Sequence, residues 1–142
     1  MSFLSFFRKS QYVSCIQLNG IIAPNIGRRK GLNLNELDKA IEQAFSVKNL
    51  KAVVLQINSP GGSPVQSEMI SKRVRDLSEK KNVPVLAFVE DVAASGGYWL
   101  ACAADEIFAS KASIIGSIGV VSSGFGFDMA IDKIGIERRL YT

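Results

Sequence analysis

The sequence predicts a single α/β domain with a mainly parallel β-sheet and repeated β-α units. Short apolar stretches alternate along the 142 residues with stretches whose apolar residues recur at helical spacing. The strand candidates are apolar almost throughout, as in residues 52–57, which is typical of parallel strands covered on both faces. Alternation of such strands with helices indicates an α/β fold, and 47% hydrophobic with 21% charged residues is ordinary for one globular domain.

The chain after its first residues predicts a strand, an exposed connection and a helix. Residues 12–18 are mostly apolar and read as the first strand, and residues 21–31, with their proline, glycines and basic residues, read as an exposed connection. Asn33 suits a helix N-cap, and Glu36 three residues later completes a capping box. The helical spacing of the apolar residues that follow predicts a helix over residues 34–47.

The second strand and the second helix flank a loop of sequence Asn-Ser-Pro-Gly-Gly at residues 58–62. The strand is predicted over residues 52–57. Ser63 as N-cap, Pro64 at the first helical position and Gln66 three residues past the cap are three agreeing signals for a helix start. The predicted buried stripe of this helix consists of Val65, Met69, Ile70, Val74 and Leu77.

The second half of the chain continues the alternation. The remaining predicted elements are a strand over 83–89, a helix over 95–104, strands over 106–109 and 118–121, a helix over 126–134 that ends at Gly135, and a strand over 136–141. Loops 58–62 and 93–97 each follow a strand directly. Both are therefore expected at the rim formed by the carboxyl ends of the strands, where α/β folds bind ligands.

Composition and charge exclude several classes of function. The net charge of +4 is modest and the basic residues are spread along the chain, which argues against a nucleic-acid partner. With two cysteines and no histidine, the sequence predicts no disulfide framework, no metal site and no cofactor, and Cys15 and Cys102 are predicted to be buried structural thiols. The missing histidine also excludes the imidazole base of the common serine triad within this chain.

Residues 1–11 are predicted to form a flexible or interfacial N-terminal segment, with phenylalanines ahead of Arg8 and Lys9. That order of apolar and basic residues is the reverse of a signal peptide, and no apolar run reaches the roughly 18 residues that span a bilayer. The sequence therefore predicts neither a transmembrane helix nor a cleavable signal peptide. It favours a cytoplasmic location or the periphery of a membrane.

Ser95 is the candidate nucleophile of the sequence. It follows an apolar strand and lies among small residues, Val92-Ala93-Ala94-Ser95-Gly96-Gly97, that let a substrate carbonyl approach closely. Backbone N–H groups at a helix start favour developing negative charge, so this stretch and loop 58–62 are candidate halves of an oxyanion hole. The residues alone leave two alternatives open, with Ser95 as an ordinary helix N-cap and loop 58–62 as a sharp strand-to-helix turn.

Four stretches in this order resemble one known family. They are residues 56–64 (Gln-Ile-Asn-Ser-Pro-Gly-Gly-Ser-Pro), residues 85–90, residues 91–99 (Asp-Val-Ala-Ala-Ser-Gly-Gly-Tyr-Trp) and residues 116–120 (Gly-Ser-Ile-Gly-Val). Together they resemble the signal peptide peptidase A (protease IV) family over nearly all of residues 12–142.

The resemblance implies a peptidase domain of the Clp protease/crotonase-like fold over residues 12–142. It also implies a serine endopeptidase that uses a Ser–Lys dyad, acts on remnant signal peptides or other extended peptides, and assembles as a homo-oligomer. The site residues that it implies are Ser95 as nucleophile, Ser117 as the residue that orients the general-base lysine, and Gly61, Gly62 and Gly96 as backbone donors of the oxyanion hole.

The general-base lysine of the family is the one site residue for which the resemblance gives no matching position in this chain. In the family it follows a motif whose opening looks like residues 137–142, so the domain is predicted to be truncated at its C-terminus. Lys111 and Lys133 are predicted to be solvated surface lysines. Two other functions therefore stay open, a non-catalytic interaction module of the same fold and a crotonase-type acyl-CoA enzyme.

Overall fold

A computed structural model describes residues 10–25, 31–119, 123–137 and 139. In chain order its elements are β1 (Tyr12–Asn19), α1 (Leu34–Phe45), β2 (Leu50–Ser59), α2 (Pro64–Lys81), β3 (Val85–Ala94), α3 (Gly96–Ala101), β4 (Glu106–Ala109), β5 (Ile114–Gly116) and α4 (Asp128–Lys133). Strands and helices alternate up to β4, which confirms the predicted α/β class.

The described strands form one parallel sheet in the order β1-β2-β3-β4. The edge of β3 that faces away from β2 pairs with two strands, one after the other along its length. Leu86–Val89 pair with β4, and Val92–Ala94 pair with β5. Because all these strands are parallel, the carboxyl ends of β2, β3 and β5 meet at the same rim of the sheet. The loops that follow these three strands therefore lie close together.

The hydrophobic core lies between one face of the sheet and helices α1, α2 and α3. Alternate residues of β2 point into it, and Val53, Leu55 and Ile57 are fully buried there. Ile41 of α1 and Ile70 of α2 are fully buried in the same cluster. Helices α1 and α3 contact the sheet, and α2 packs against both of them. This arrangement holds the rim loops on a rigid base.

The opposite face of the sheet is open in the part of the chain that the structure describes. The prediction that residues 52–57 are covered on both faces is wrong there. Gln56 is only partly buried on this face, and its side chain donates to the Glu90 carboxylate at 2.5 Å. Phe88 and Phe108 stack beside it with ring centroids 4.9 Å apart and remain 43% and 42% exposed. This face therefore carries a polar pair next to two exposed aromatic rings, a mixture that the mostly apolar residues 52–57 do not reveal.

Both cysteines are exposed, so the prediction of buried structural thiols is wrong. Cys15 lies on the open face of β1, where its Sγ is 3.7 Å from Oε1 of Gln56. Cys102 is the C-cap of α3. The apolar neighbours of each cysteine in the sequence point to other sides of their elements, and only the packing shows which side is covered.

The starts of α1 and α2 are where the sequence predicts them, but the predicted capping box at α1 is only half formed, because the Glu36 carboxylate accepts from the Asn25 side chain. The Asn33 side chain accepts the N–H of Glu36 at 3.1 Å, and the Ser63 hydroxyl accepts the N–H of Gln66 at 3.4 Å, with Pro64 as the first helical residue. Capping bonds of this kind join residues three apart in the chain, and for that reason sequence spacing finds them.

The buried stripe of α2 differs from the prediction near its start. Ile70, Val74 and Leu77 are buried, but Val65 is 62% exposed and Met69 is 41% exposed. The inward face also carries three buried serines, each of which donates its hydroxyl to a backbone carbonyl: Ser67, Ser71 and Ser78. Small side chains let α2 approach α3 closely, and a search for apolar periodicity overlooks a stripe that is partly made of serines.

The predicted bounds of four elements change, and at β3 the cause is a partner elsewhere in the chain. β3 runs on to Ala94, beyond the predicted end at residue 89, because β5 pairs with its last residues. α3 spans Gly96–Ala101 and is shorter than the predicted helix over 95–104. The strand predicted over 118–121 is wrong at residues 118 and 119, which are not in a strand, while 120 and 121 lie outside the described residues. α1 ends at Phe45, two residues before its predicted end.

The last described residues confirm the predicted helix and contradict part of the predicted last strand. α4 lies within the predicted span 126–134, and Gly135 follows it with φ +68°. Residues 136, 137 and 139 are not in a strand, contrary to the prediction, and the rest of 136–141 lies outside the described residues. So do residues 1–9 of the predicted N-terminal segment. None of the described helices is long and apolar enough to cross a membrane.

Asp105 connects the start of β4 to the start of β3. Its carboxylate accepts the N–H of Val85 at 2.8 Å and a guanidinium N–H of Arg75 at 2.8 Å. The bond from the Val85 backbone and then the bond from Arg75 hold the pKa of Asp105 below its ordinary value, against a smaller opposing effect of burial. The carboxylate form therefore stabilises this end of the sheet.

Replacing Asp105 with Asn is expected to lower the free energy of unfolding at pH 7 by on the order of 1 kcal/mol, because the charged hydrogen bonds are partly exposed. A carboxylate with a lower pKa in the folded protein contributes stability above its unfolded pKa of about 3.9 and loses it as the pH falls through the folded pKa. The difference between the two proteins should therefore be constant down to about pH 5 and shrink below about pH 4.

Urea unfolding of both proteins across this pH range measures the effect. Asp76→Asn, which removes only the exposed pair with Lys72, is the matched control and should change stability by less than about 0.5 kcal/mol. A stability difference at Asp105 that stays the same down to about pH 3 would contradict the assignment.

Candidate active site

Ser95 lies at the turn between β3 and α3 in a conformation that residues other than glycine rarely adopt. Its backbone angles are φ 52° and ψ −120°. Holding a residue with a Cβ in such a region costs on the order of 1–3 kcal/mol. The Ser95 N–H donates to the carbonyl of Gly116 at 2.8 Å, and the Ser95 carbonyl accepts the N–H of Trp99 at 3.1 Å. Bonds to β5 and to α3 thus hold the strained turn.

The Ser95 hydroxyl does not cap α3, so the alternative of an ordinary helix cap is wrong. Ser95 occupies the N-cap position, yet its side chain makes no capping bond to the helix. Ser95 lines a cavity at the rim of the sheet instead, beside loop 60–62.

Loop 60–62 approaches the Ser95 turn backbone to backbone. A Cβ at Gly61 would lie 2.6 Å from the carbonyl oxygen of Ala94, 2.8 Å from the nitrogen of Gly96 and 2.9 Å from Cβ of Ser95. Real Cβ atoms do not come so close to such atoms. Gly61 also has φ +99°, which a side chain disfavours. Glycine is therefore required here for space and for conformation.

Ile22 holds this loop from its other side. Its N–H donates to the carbonyl of Gly61 at 2.9 Å, and its carbonyl accepts the N–H of Ser63 at 2.7 Å. A Cβ at Gly62 would collide with the Ile22 carbonyl. Ile22 is fully buried, so the predicted exposed connection over 21–31 is wrong at this position. The signal in the sequence is the apolar run at residues 21–23, which does not show that Ile22 is buried while Ile21 is exposed.

The backbone N–H groups of the two loops differ in their partners. The Gly61 N–H donates to the Ser59 hydroxyl at 3.2 Å. For the N–H groups of Gly62 and Gly96, no acceptor is found among the described residues. Gly96 begins α3, where an N–H has no partner within the helix. The Gly62 nitrogen lies 3.4 Å from the position that a Cβ of Gly96 would take, so these two glycines are adjacent.

Ser117 follows β5 and lies beside the Ser95 turn. Ala94, the last residue of β3, pairs with Gly116, the last residue of β5. Ser95 and Ser117 directly follow these two residues. Ser117 is exposed and has φ 54°. Parallel pairing of β3 and β5 thus brings together two serines that are distant in the sequence.

A cavity of about 390 Å³ opens beside Ser95. Its lining includes Gly62 and Gly96, and its apolar walls come from Pro64, Tyr98, Trp99, Cys102 and Ile118. Ser95, Tyr98, Trp99 and Cys102 have the spacing of one face of α3. No charged side chain of the described residues lines this cavity. An apolar side chain is the ligand group that such walls accommodate.

Neither Lys111 nor Lys133 lines the cavity. Lys111 lies in the turn between β4 and β5, Lys133 lies in α4, and both are exposed. Within the ranges that the structure covers, no three His, Cys, Asp or Glu side chains form a group that could hold a metal ion. The described site therefore combines the Ser95 hydroxyl, two adjacent backbone donors and a mostly apolar cavity.

Comparison with known proteins relates the chain to peptidases. Residues 77–142 match the model of peptidase family S49. The chain is 32% identical over 130 residues to a putative signal peptide peptidase SppA from Enterococcus faecium, a match that covers 89% of this chain and 38% of that protein. It is 50% identical over 131 residues to a protein named Na⁺/H⁺ antiporter NhaA from Brucella melitensis, which covers 92% of this chain and 18% of that protein. The chain thus spans less than half the length of these relatives.

A solved structure supports the fold. The chain is similar to a mutant of the 1510-N membrane-bound stomatin-specific protease, with a TM-score of 0.60 and 19% sequence identity, over 87% of this chain and 59% of that one. At this identity the similarity shows the fold, which confirms the predicted Clp protease/crotonase-like α/β architecture.

Replacing Gly61 with Ala is expected to destabilise the protein through backbone strain and through crowding. Gly20→Ala is the matched control, because Gly20 has φ +103°, close to the +99° of Gly61, but no atom lies within 4 Å of its Cβ position. Gly20→Ala should lower the free energy of unfolding by about 1–2 kcal/mol, and Gly61→Ala by about 1–3 kcal/mol more. Urea unfolding of the two variants measures the difference, and equal losses would contradict the close approach of the loops.

Proposed function

Because the chain belongs to the signal peptide peptidase A family, peptidase family S49, we propose that the protein is a serine endopeptidase whose nucleophile is Ser95. The observation that carries the proposal is the strained turn at Ser95, with φ 52° and no capping bond from its hydroxyl. Strain of this kind persists only where the surrounding structure maintains it, and it clusters at sites of function.

The proposed reaction is acyl transfer through Ser95. Its Oγ attacks the carbonyl carbon of a peptide bond and gives its proton to a general base, and the carbonyl oxygen becomes an oxyanion. The C–N bond then breaks, and the leaving amine takes the proton from the base. Water, activated by the same base, hydrolyses the acyl-enzyme and restores the Ser95 hydroxyl.

The oxyanion in this proposal accepts hydrogen bonds from the N–H groups of Gly62 and Gly96. They are adjacent, and neither has an acceptor among the described residues. Gly61 was expected as a third donor, but its N–H is bonded to Ser59, and we propose that it contributes through its shape. Donors that are fixed before the reaction stabilise the transition state without reorganisation.

A lysine amine is the proposed base of a Ser–Lys dyad, and Ser117 is proposed to orient it. The absence of histidine from the 142 residues favours this choice. Burial in an apolar site lowers the pKa of a lysine, so its neutral form can accept a proton from serine near neutral pH. The position of Ser117 next to Ser95 in the register of β3 and β5 supports its part.

The proposed substrates are extended peptides, including remnant signal peptides, in keeping with the apolar cavity beside Ser95. Assembly as a homo-oligomer is also proposed. It is supported by apolar side chains that stand free of the described core: Ile118, Phe125, Met129 and Ile134 are 69–90% exposed. Exposed apolar surface on this scale is typical of interaction sites. The phenylalanines ahead of Arg8 and Lys9 support peripheral contact with a membrane.

Two other functions would give different results in assays of ligand binding and peptide hydrolysis. A crotonase-type acyl-CoA enzyme would bind acetyl-CoA in a titration, and its activity would not need the Ser95 hydroxyl. An interaction module would neither bind acetyl-CoA nor hydrolyse peptides. The antiporter name of the Brucella relative belongs to a protein of which the matched part is 18%, so it does not assign a function to this segment.

Replacing Ser95 with Ala in the intact protein is expected to lower kcat for peptide hydrolysis by at least about 10⁴-fold, because the nucleophile is removed. Labelling by a serine-reactive phosphonate should disappear with it. The Ser110→Ala variant, which removes an exposed hydroxyl from the turn after β4, is the control and should keep both activities. Hydrolysis at an unchanged rate by Ser95→Ala would exclude the proposed nucleophile.

Alkylation of Cys102 with N-ethylmaleimide is expected to lower kcat/KM for peptide substrates by at least about tenfold, because the adduct fills the cavity beside Ser95. Cys15 is also exposed and should react with the same reagent, so its alkylation serves as the control. A Cys15→Ser variant should stay sensitive to the reagent, and a Cys102→Ser variant should be resistant. The opposite pattern would show that substrate does not enter this cavity.

A further inference from the structure

Ser59 joins the two loops of the site and has no role so far. It is the last residue of β2, is fully buried, and directly precedes loop 60–62. We infer that Ser59 is a positioning residue, which holds the Gly62 N–H in the place where it meets the oxyanion formed at Ser95. This inference rests on the proposed peptidase function and adds a residue to its machinery.

The Ser59 hydroxyl closes the turn of loop 60–62. It accepts the N–H of Gly61 at 3.2 Å, two residues ahead, while Pro60 between them has no N–H to offer. Gly61 is buried, so without this acceptor its N–H would lack a partner. The bond also decides which donor remains, because it engages Gly61 and leaves the next N–H, that of Gly62, to a ligand.

The backbone of Ser59 is fixed against the nucleophile turn. Ile57 of β2 pairs with Val89 of β3, whereas Ser59 pairs with Ala93, so β3 carries two extra residues between these pairs. This irregularity places Ser59 beside the residue that stands two positions before Ser95.

Gly97 of α3 packs on the same residue. A Cβ at Gly97 would collide with the Ser59 carbonyl oxygen and would lie 3.2 Å from Cβ of Ser59. The hydroxyl of Ser59 thus contacts one loop of the site and its backbone contacts the other. Ser59 is therefore a direct link between the donor of loop 60–62 and the donor of the Ser95 turn.

Loss of this link should affect the transition state more than the bound substrate. The oxyanion exists only after Ser95 has attacked, so a misplaced Gly62 N–H lowers kcat while KM changes little. Removing one donor from an oxyanion hole costs about 10²–10³ in kcat, and a displaced donor should cost less than a missing one. A fall of about 10–100-fold is expected.

The test compares Ser59→Ala with Ser78→Ala in the intact protein. Ser78 is also buried, but its hydroxyl donates to the carbonyl of Val83, and it lies near the end of α2 that is far from the site. Ser59→Ala should lower kcat by about 10–100-fold with KM within about threefold. Ser78→Ala should lower thermal stability while kcat stays within about twofold of the original protein.

A second variant separates the hydroxyl from the volume that it fills. Ser59→Cys keeps the side chain nearly the same size but supplies only a weak acceptor. It should also lose at least about tenfold in kcat, and it decides the question if Ser59→Ala does not fold. Values of kcat within about twofold of the original protein for the folded Ser59 variants would overturn the positioning role.

The Ser95→Ala variant, assayed beside these, separates this inference from the proposed function. If it is inactive while the folded Ser59 variants retain kcat, the peptidase stands and the positioning role fails. If it still hydrolyses the peptide, the proposed function itself fails, and the role of Ser59 fails with it.

Discussion

The site depends on the approach of two backbones with no side chain between them. Gly61 lies against Ala94, Ser95 and Gly96 at distances that exclude a Cβ. The two segments come from different β-α units, and the parallel sheet brings them to one rim. The donors of the proposed oxyanion hole must stand about 3 Å from one oxygen atom, and such a close approach is what would let backbone groups of both segments reach it.

The strained conformation of Ser95 is a consequence of the same packing. A serine at φ 52° and ψ −120° would relax if its neighbours could move. The turn is held by the bond from the Ser95 N–H to Gly116, by the bond from the Trp99 N–H to the Ser95 carbonyl, and by contact with loop 60–62. The extension of β3 to Ala94 carries the sheet to the residue before Ser95, the proposed nucleophile, and stabilises the turn there.

Elements whose ends are set by local bonds could be predicted, and elements whose ends are set by distant partners could not. Asn33 and Ser63 begin helices through bonds to residues three ahead, which sequence spacing reveals. The end of β3 depends on β5, about twenty residues later, and the burial of Ile22 depends on loop 60–62. The exposure of Cys15 depends on which face of the sheet the helices cover.

The sequence by itself determined the α/β class and the starts of α1 and α2, because residue type and short-range spacing carry that information. The prediction of Ser95 and its glycine loops as the site came from a family resemblance, and it stays a prediction. The resemblance also led to the expectation that Gly61 would donate to a substrate. Only the tertiary structure decided that Ser59 engages the Gly61 N–H, that Ser117 lies beside Ser95, and that Cys102 lines the neighbouring cavity. Each of these facts depends on which backbones and side chains converge at the rim of the sheet, and that convergence is a property of the folded chain.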